Sequence, residues 1–188
     1  MKISILLPYK ENFSPTYPGA VSIFLNSTIK LSKYKKEITV FGSTKYKTKY
    51  NIRYKNIDIS EKTLGLGSQT NKYINKFINL ENKIKSDIIE VHNRPFYVQL
   101  LPNNNTKKIL YFHNDPLTMN GSKSVAERED LLRRCSSIIF NSYWSKKRFL
   151  SKLNKIFTKS EKLIIIHQST DRQKVNINKK KKYNYFRW

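Results

Sequence analysis

KKILYFHNDP, residues 107–116, holds an apolar run from Ile109 to Phe112 that stops at once on His113, Asn114, Asp115 and Pro116. Four apolar residues in succession, without polar alternation, describe a strand covered on both faces, as in a parallel sheet. The proline turns the chain away, so an imidazole, an amide and a carboxylate stand where the strand surfaces. DIIEVHNRP, residues 87–95, repeats the arrangement: Ile88 to Val91, then His92, Asn93, Arg94 and Pro95. KLIIIH, residues 162–167, closes on His167, so each of the 3 histidines of the chain ends an apolar run.

The segments around these runs alternate between strand and helix patterns. Ile3–Leu7 and Glu37–Phe41 read as strands, 52–59 as an imperfectly alternating one, and Ser137–Phe140 and Leu163–Ile166 as two more. Between them, apolar residues at helical spacing predict helices over about 20–33, 68–85 and 143–156, with a short one near 95–101. A charged helix is predicted at about 122–134, with Val125, Leu131 and Leu132 as its inner face. Repeated β-α-β order predicts an α/β domain: a Rossmann-like, doubly wound, mostly parallel sheet with helices on both faces. In such a sheet every C-terminal strand end lies on one edge, and ligands bind in the crevice beside it.

His92, Asn93, Arg94, His113, Asn114 and Asp115 are therefore candidate site residues, although Asn and Asp also cap helices and bridge loop backbone. A metal held by the three histidines is not expected, since they come from separate strands without ligand-type spacing. SPTYPGAV, residues 14–21, places Gly19 just before a helix start, where free N–H groups and the helix dipole favour an anion. GLGSQT, residues 65–70, lacks the Gly-Lys-Ser/Thr ending of a phosphate loop and reads as a loop with a helix cap. No G-x-S-x-G, H-E-x-x-H or paired-cysteine pattern is present.

The length of 188 residues fits one domain, expected over 1–178, with NKKKKYNYFRW leaving a basic linker or disordered tail at 179–188. The formal charge of +24 fits three readings: nucleic-acid binding, attraction to an anionic membrane, or lysine bias in a chain rich in Lys, Asn, Ile and Tyr. Lysines are spread along the chain rather than gathered with stacking aromatics, which weighs against nucleic acid and leaves peripheral contact with an anionic membrane open. The single cysteine, Cys135, excludes an internal disulfide and fits a reducing cytoplasm. The opening apolar run is too short for a secretory leader, and nothing approaches the roughly 18 apolar residues of a membrane span.

Taken together, PGAV at 18–21, VHNRP at 91–95, FHNDP at 112–116, AEREDLLRRC at 126–135, IIFNSYWSKKRFL at 138–150 and KLIIIHQSTD at 162–171 resemble the N-terminal domain of family-4 glycosyltransferases of the GT-B fold. The likeness covers about residues 1–171 and looks closest to the bacterial spore-coat and lipopolysaccharide branch. It implies retaining transfer of a sugar from a nucleotide-sugar donor to a glycan or lipid-linked acceptor, with no metal or other cofactor. By the resemblance His113 contacts the transferred sugar at the reacting centre, Gly19 and Ala20 lie beside the donor phosphates, and His92, Asn93, Arg94, Asn114 and Asp115 line the acceptor side. Where the family has Pro-Gly-Gly-Val, Ala20 stands for a glycine. The chain also ends where the family's donor-binding second domain begins, so it is expected to act with a separate C-terminal domain or to be inactive or weak alone. The alternatives are a non-catalytic glycan-binding module of the same fold and a basic nucleic-acid-binding protein.

Overall fold

Seven strands form a single sheet in the order β3-β2-β1-β4-β5-β6-β7, and every neighbouring pair is parallel. The computed structural model describes residues 1–59 and 68–168; the expected tail at 179–188 and the first part of GLGSQT lie outside them. The strands are β1 (Ile3–Leu6), β2 (Ile38–Gly42), β3 (Tyr54–Asn56), β4 (Ile88–His92), β5 (Lys107–Phe112), β6 (Ser137–Phe140) and β7 (Leu163–Ile165). The helices are α1 (Ala20–Leu31), α2 (Gln69–Ile84), α3 (Pro95–Leu100), α4 (Val125–Arg134), α5 (Tyr143–Leu150) and α6 (Lys155–Thr158), with a 3-10 turn at Pro116–Thr118. Strand order reverses between β1 and β4, the place where a doubly wound sheet opens a ligand crevice.

The two faces are covered unequally. On one face, Leu6, Phe41, Val91, Leu110, Phe112 and Phe140 meet Tyr73 and Phe77 of α2, Val98 of α3, Leu131 of α4 and Phe149 of α5. On the other, Ile5, Leu7, Ile38 and Val40 meet Val21, Leu25 and Ile29 of α1, the one helix on that side among the described residues, and Phe13 of the loop after β1. Side chains alternate along a strand, so the residues between the core positions of β4 and β5 point to this thinner face. Glu90, His92 and Tyr111 are among them.

Local chemistry sets the helix ends. Ser124 and Glu127 form a reciprocal capping box at the start of α4, and Ser68 caps α2 by accepting from the Asn71 N–H. At the N-terminal edge of the sheet, buried Glu81 accepts from Ser4 Oγ at 2.5 Å and the Ser86 N–H at 2.7 Å, tying the end of α2 to β1. Arg128, on the inner face of α4 and 2% exposed, donates to the carbonyls of Ser122 (3.1 Å), Lys123 (2.7 Å) and Ser151 (2.7 Å). It thereby joins the approach to α4 to the end of α5.

Two sequence expectations are corrected. The helix predicted over 143–156 is broken: Ser151 leaves helical geometry, Lys152 is left-handed at φ 62, Leu153 turns into the core, and Asn154 starts α6 by accepting from the Ile156 N–H. Burial of Leu153 outweighs helix propensity here. The strand predicted over 52–59 shortens to β3, since the Ile57 N–H bonds to the Gly42 carbonyl and its side chain enters the core. Cys135 is buried and free, its thiol pushed up to about 12 by burial. Among the described residues no helix is long and apolar enough to cross a membrane.

Candidate functional site

β4 and β5 run side by side with His92 opposite Tyr111, so a residue at the end of each strand and one two positions earlier project to the same face. That register assembles a line of groups at the C-terminal rim. Glu90 Oε1 lies 2.5 Å from His92 Nε2, and His92 Nδ1 lies 2.8 Å from His113 Nε2. The outer nitrogen of His113, Nδ1, meets the Gln168 side-chain amide. Tyr111 is stacked against both imidazoles, with ring centroids 5.4 Å from His92 and 4.5 Å from His113. Phe24 of α1 packs edge-on against Tyr111 and His113 at 5.2 Å each. Burial first, then the charge of Glu90, push the Tyr111 phenol up to about 12, and its hydroxyl donates to the Ile166 carbonyl at 3.0 Å.

His92 is fully buried, whereas His113 keeps part of its ring at the surface. Desolvation, with His92 as the second cause, lowers His113 from 6.5 to about 3, so it is a neutral hydrogen-bonding group at physiological pH. This has a sign for stability. The unfolded chain binds the extra proton below 6.5, whereas the folded chain resists it down to about 3, so stability present above 6.5 is lost as pH falls between the two. Urea midpoints taken from about pH 7 to about pH 4 should fall, and should fall less steeply in His113→Gln. An equal slope in both proteins would remove His113 as the source.

The remaining predicted residues divide in two. Asn93, left-handed at φ 56, accepts from the His113 N–H through Oδ1 at 3.3 Å. Its neighbour Arg94 is exposed and donates to the Asn93 carbonyl at 2.8 Å; together they line a hollow of about 330 Å³ with Tyr97 and Asn120. Asn114 is exposed at the rim. Asp115 is engaged by the protein: it accepts from the Leu117 N–H at 3.1 Å and takes the Arg148 guanidinium at 2.9 and 3.1 Å. The Arg148 hydrogen bond, aided by the Leu117 N–H, holds its carboxyl below the usual range. His167 shares the rim but stands apart, exposed and 3.2 Å from the Asn141 carbonyl. No three His, Cys, Asp or Glu side chains among the described residues converge as a metal site.

Gly19 and Ala20 open α1 beside the switch point, and the Glu11 carboxylate is already there, accepting from the Ser22 N–H at 3.0 Å. A Cβ on Gly19 would fall 2.0 Å from Glu11 Oε1, so glycine is what lets this carboxylate reach the helix end. Beyond it, the loops after β1 and β2 and the end of β3 enclose a hollow of about 760 Å³, lined by Lys10, Lys45, Lys47 and Lys49 with Tyr9, Tyr46 and Asp58. Among the described residues none of these lysines has an ion-pair partner; Lys49 donates to the Tyr46 and Lys47 carbonyls. The loop after β1 is held by tyrosines: Tyr97 Oη accepts from the Tyr9 N–H, and Tyr73 Oη donates to the Leu7 carbonyl, each at 2.9 Å.

Sequence reading missed four participants. Glu90 was legible as an acidic residue two places before His92 in a strand, hence on the same face. Asn141, at the end of β6, donates to the His113 carbonyl at 2.7 Å and occupies the strand-end position that the histidines announce elsewhere. Glu11 and Gln168 sit in loops and carried no such signal.

No family model and no curated protein matches the sequence. Among solved structures, a sucrose-phosphate synthase from Thermosynechococcus elongatus is similar at a TM-score of 0.53 and 11% identity, over 89% of this chain and 90% of that one. MurG of Acinetobacter baumannii is similar at 0.48 and 9%, over 91% of this chain and 46% of that one. What the sucrose-phosphate synthase shares with this chain is its fold, and the seven-stranded parallel sheet with helices on both faces is the Rossmann-like, doubly wound architecture that the sequence led us to expect.

Proposed function

We propose that this chain is the acceptor-side half of a glycosyltransferase, transferring a sugar from a nucleotide-linked donor to a glycan or lipid-linked acceptor with retention at the anomeric carbon. One observation carries the reading: a neutral imidazole, His113, is held by buried partners at the C-terminal rim of a parallel sheet, beside the strand-order reversal. A fixed, uncharged hydrogen-bonding group at such an edge suits the hydroxyls of a sugar. The fold, and the sequence resemblance at HNRP and HNDP, agree with it.

His113 serves as the residue at the reacting centre, with His92 and Asn93 as its supports. Arg94 and the hollow beside it face one side of the acceptor. The lysine-lined hollow after β1–β3 favours an acceptor that carries negative charge. The donor's nucleotide is held by a second domain, and its phosphates approach the start of α1 at Gly19 and Ala20, exchanging with the Glu11 carboxylate. No metal is assigned to the reaction; helix-end N–H groups and basic side chains stabilise the leaving diphosphate.

The test is spectroscopic and needs no turnover. The full chain is titrated with a panel of nucleotide-linked sugars and short acidic oligosaccharides while the ring signals of His113 and the amides of Asn93 and Arg94 are followed by NMR. At least one member of the panel should shift them in a saturable way. If none moves them while the protein remains folded, the transferase reading is abandoned.

A further inference from the structure

We infer that Glu90 is a positioning residue that dictates which nitrogen of His113 carries the proton, and so makes the exposed nitrogen an acceptor. The inference deepens the role given to His113 above and rests on that reading for its functional meaning, but its chemistry stands on three contacts.

A carboxylate can only accept hydrogen bonds. With Glu90 Oε1 2.5 Å from His92 Nε2, that nitrogen must carry the proton of a neutral His92. Its other nitrogen, Nδ1, then holds a lone pair, and the contact of 2.8 Å requires the proton of His113 to lie on Nε2. This leaves Nδ1 of His113 as a lone pair at the rim, where the Gln168 amide nitrogen donates to it. A buried imidazole thus passes the polarity of a carboxylate from β4 to the residue just after β5, which the carboxylate does not touch. The stacked Tyr111 ring and the Phe24 edge keep both imidazoles in the plane needed for this. Rotation of either ring breaks a hydrogen bond of the line.

The consequence for a sugar ligand is specific. An acceptor nitrogen at the rim takes a hydrogen bond from a hydroxyl of the sugar and leaves that oxygen free to accept elsewhere. A donor nitrogen at the same place would compete for the oxygen lone pairs instead. Glutamine in place of Glu90 fits the same space but offers a carbonyl oxygen on one side and an N–H on the other, so the polarity of the line is no longer fixed. With the N–H turned to His92, every bond reverses and His113 Nδ1 becomes a donor. Aspartate keeps the original polarity.

The experiment uses the full chain, labelled with nitrogen-15 and studied at neutral pH by ring nitrogen-to-carbon-proton correlation, which identifies the tautomer of each histidine directly. In the wild type His92 and His113 should both be protonated on Nε2. In Glu90→Gln, whose amide presents either end, a population protonated on Nδ1 should appear at both rings, and Glu90→Asp should restore the wild-type pattern. Amide spectra establish that each variant is folded; should Glu90→Gln not fold, the wild-type spectrum alone decides. Wild-type His113 protonated on Nδ1, or a folded Glu90→Gln with no detectable Nδ1-protonated population, overturns the inference. The readout involves no sugar, so a correct tautomer pattern with no sugar response would sink only the transferase reading, and the opposite combination only the role of Glu90.

Discussion

Sugar transfer by the chain joined to a donor-binding domain falls about 100-fold or more when His113 becomes alanine, the usual scale for loss of one positioned polar group at a reacting centre. The loss should appear mainly in kcat, because on the proposed reading the group acts on the sugar at the point of reaction rather than on the remote parts that set binding. Stability should fall as well, since the fully buried His92 loses the partner of its Nδ1, so kcat is compared only after the variant is shown to be folded. Unchanged kcat in folded His113→Ala would take His113 out of the mechanism.

The second large effect concerns folding. Arg128→Ala is expected to destabilise the protein by about 3 kcal/mol or more, because hydrogen bonds from a charged donor contribute about 1.5–3 kcal/mol each and three carbonyls lose theirs. For a chain of this length that corresponds to a fall in melting temperature of roughly 10 °C. Arg128→Lys keeps the charge but replaces a planar fork with a single point donor, and should retain only part of the loss. Arg128→Met fills the volume and restores none of the bonds. Urea unfolding at constant slope distinguishes these from a change in the unfolded state. If alanine and methionine both leave the midpoint within error, the three carbonyls find other partners and the role assigned to Arg128 is wrong.

The sheet was legible because its strands are short apolar runs with turn chemistry behind them, such as Ile109 to Phe112 before HNDP, and those features are local. Strand ends therefore also announced His92, Asn93 and His113. Glu90 escaped because an acidic residue inside DIIEVH reads as an interruption of an apolar run, and only pairing with β5 shows that it shares a face with Tyr111. Arg128 escaped for the converse reason: on a helix reading AEREDLLRRC a buried arginine looks like one more solvated charge until the carbonyls around it are in place. The break at Lys152 depends on where Leu153 finds space, which no spacing rule contains. Asp115 was recognised as chemistry-bearing, but its partner Arg148 lies 33 positions away on another helix.

The Glu11 carboxylate at the start of α1 has one more implication. A visitor bearing negative charge does not fill empty space there; it evicts a tenant. Affinity at that spot is accordingly a difference between two anions, and a group with charge beyond that of a single carboxylate has the advantage. On the proposed reading, the tethered side chain is at hand to close the gap when that visitor departs.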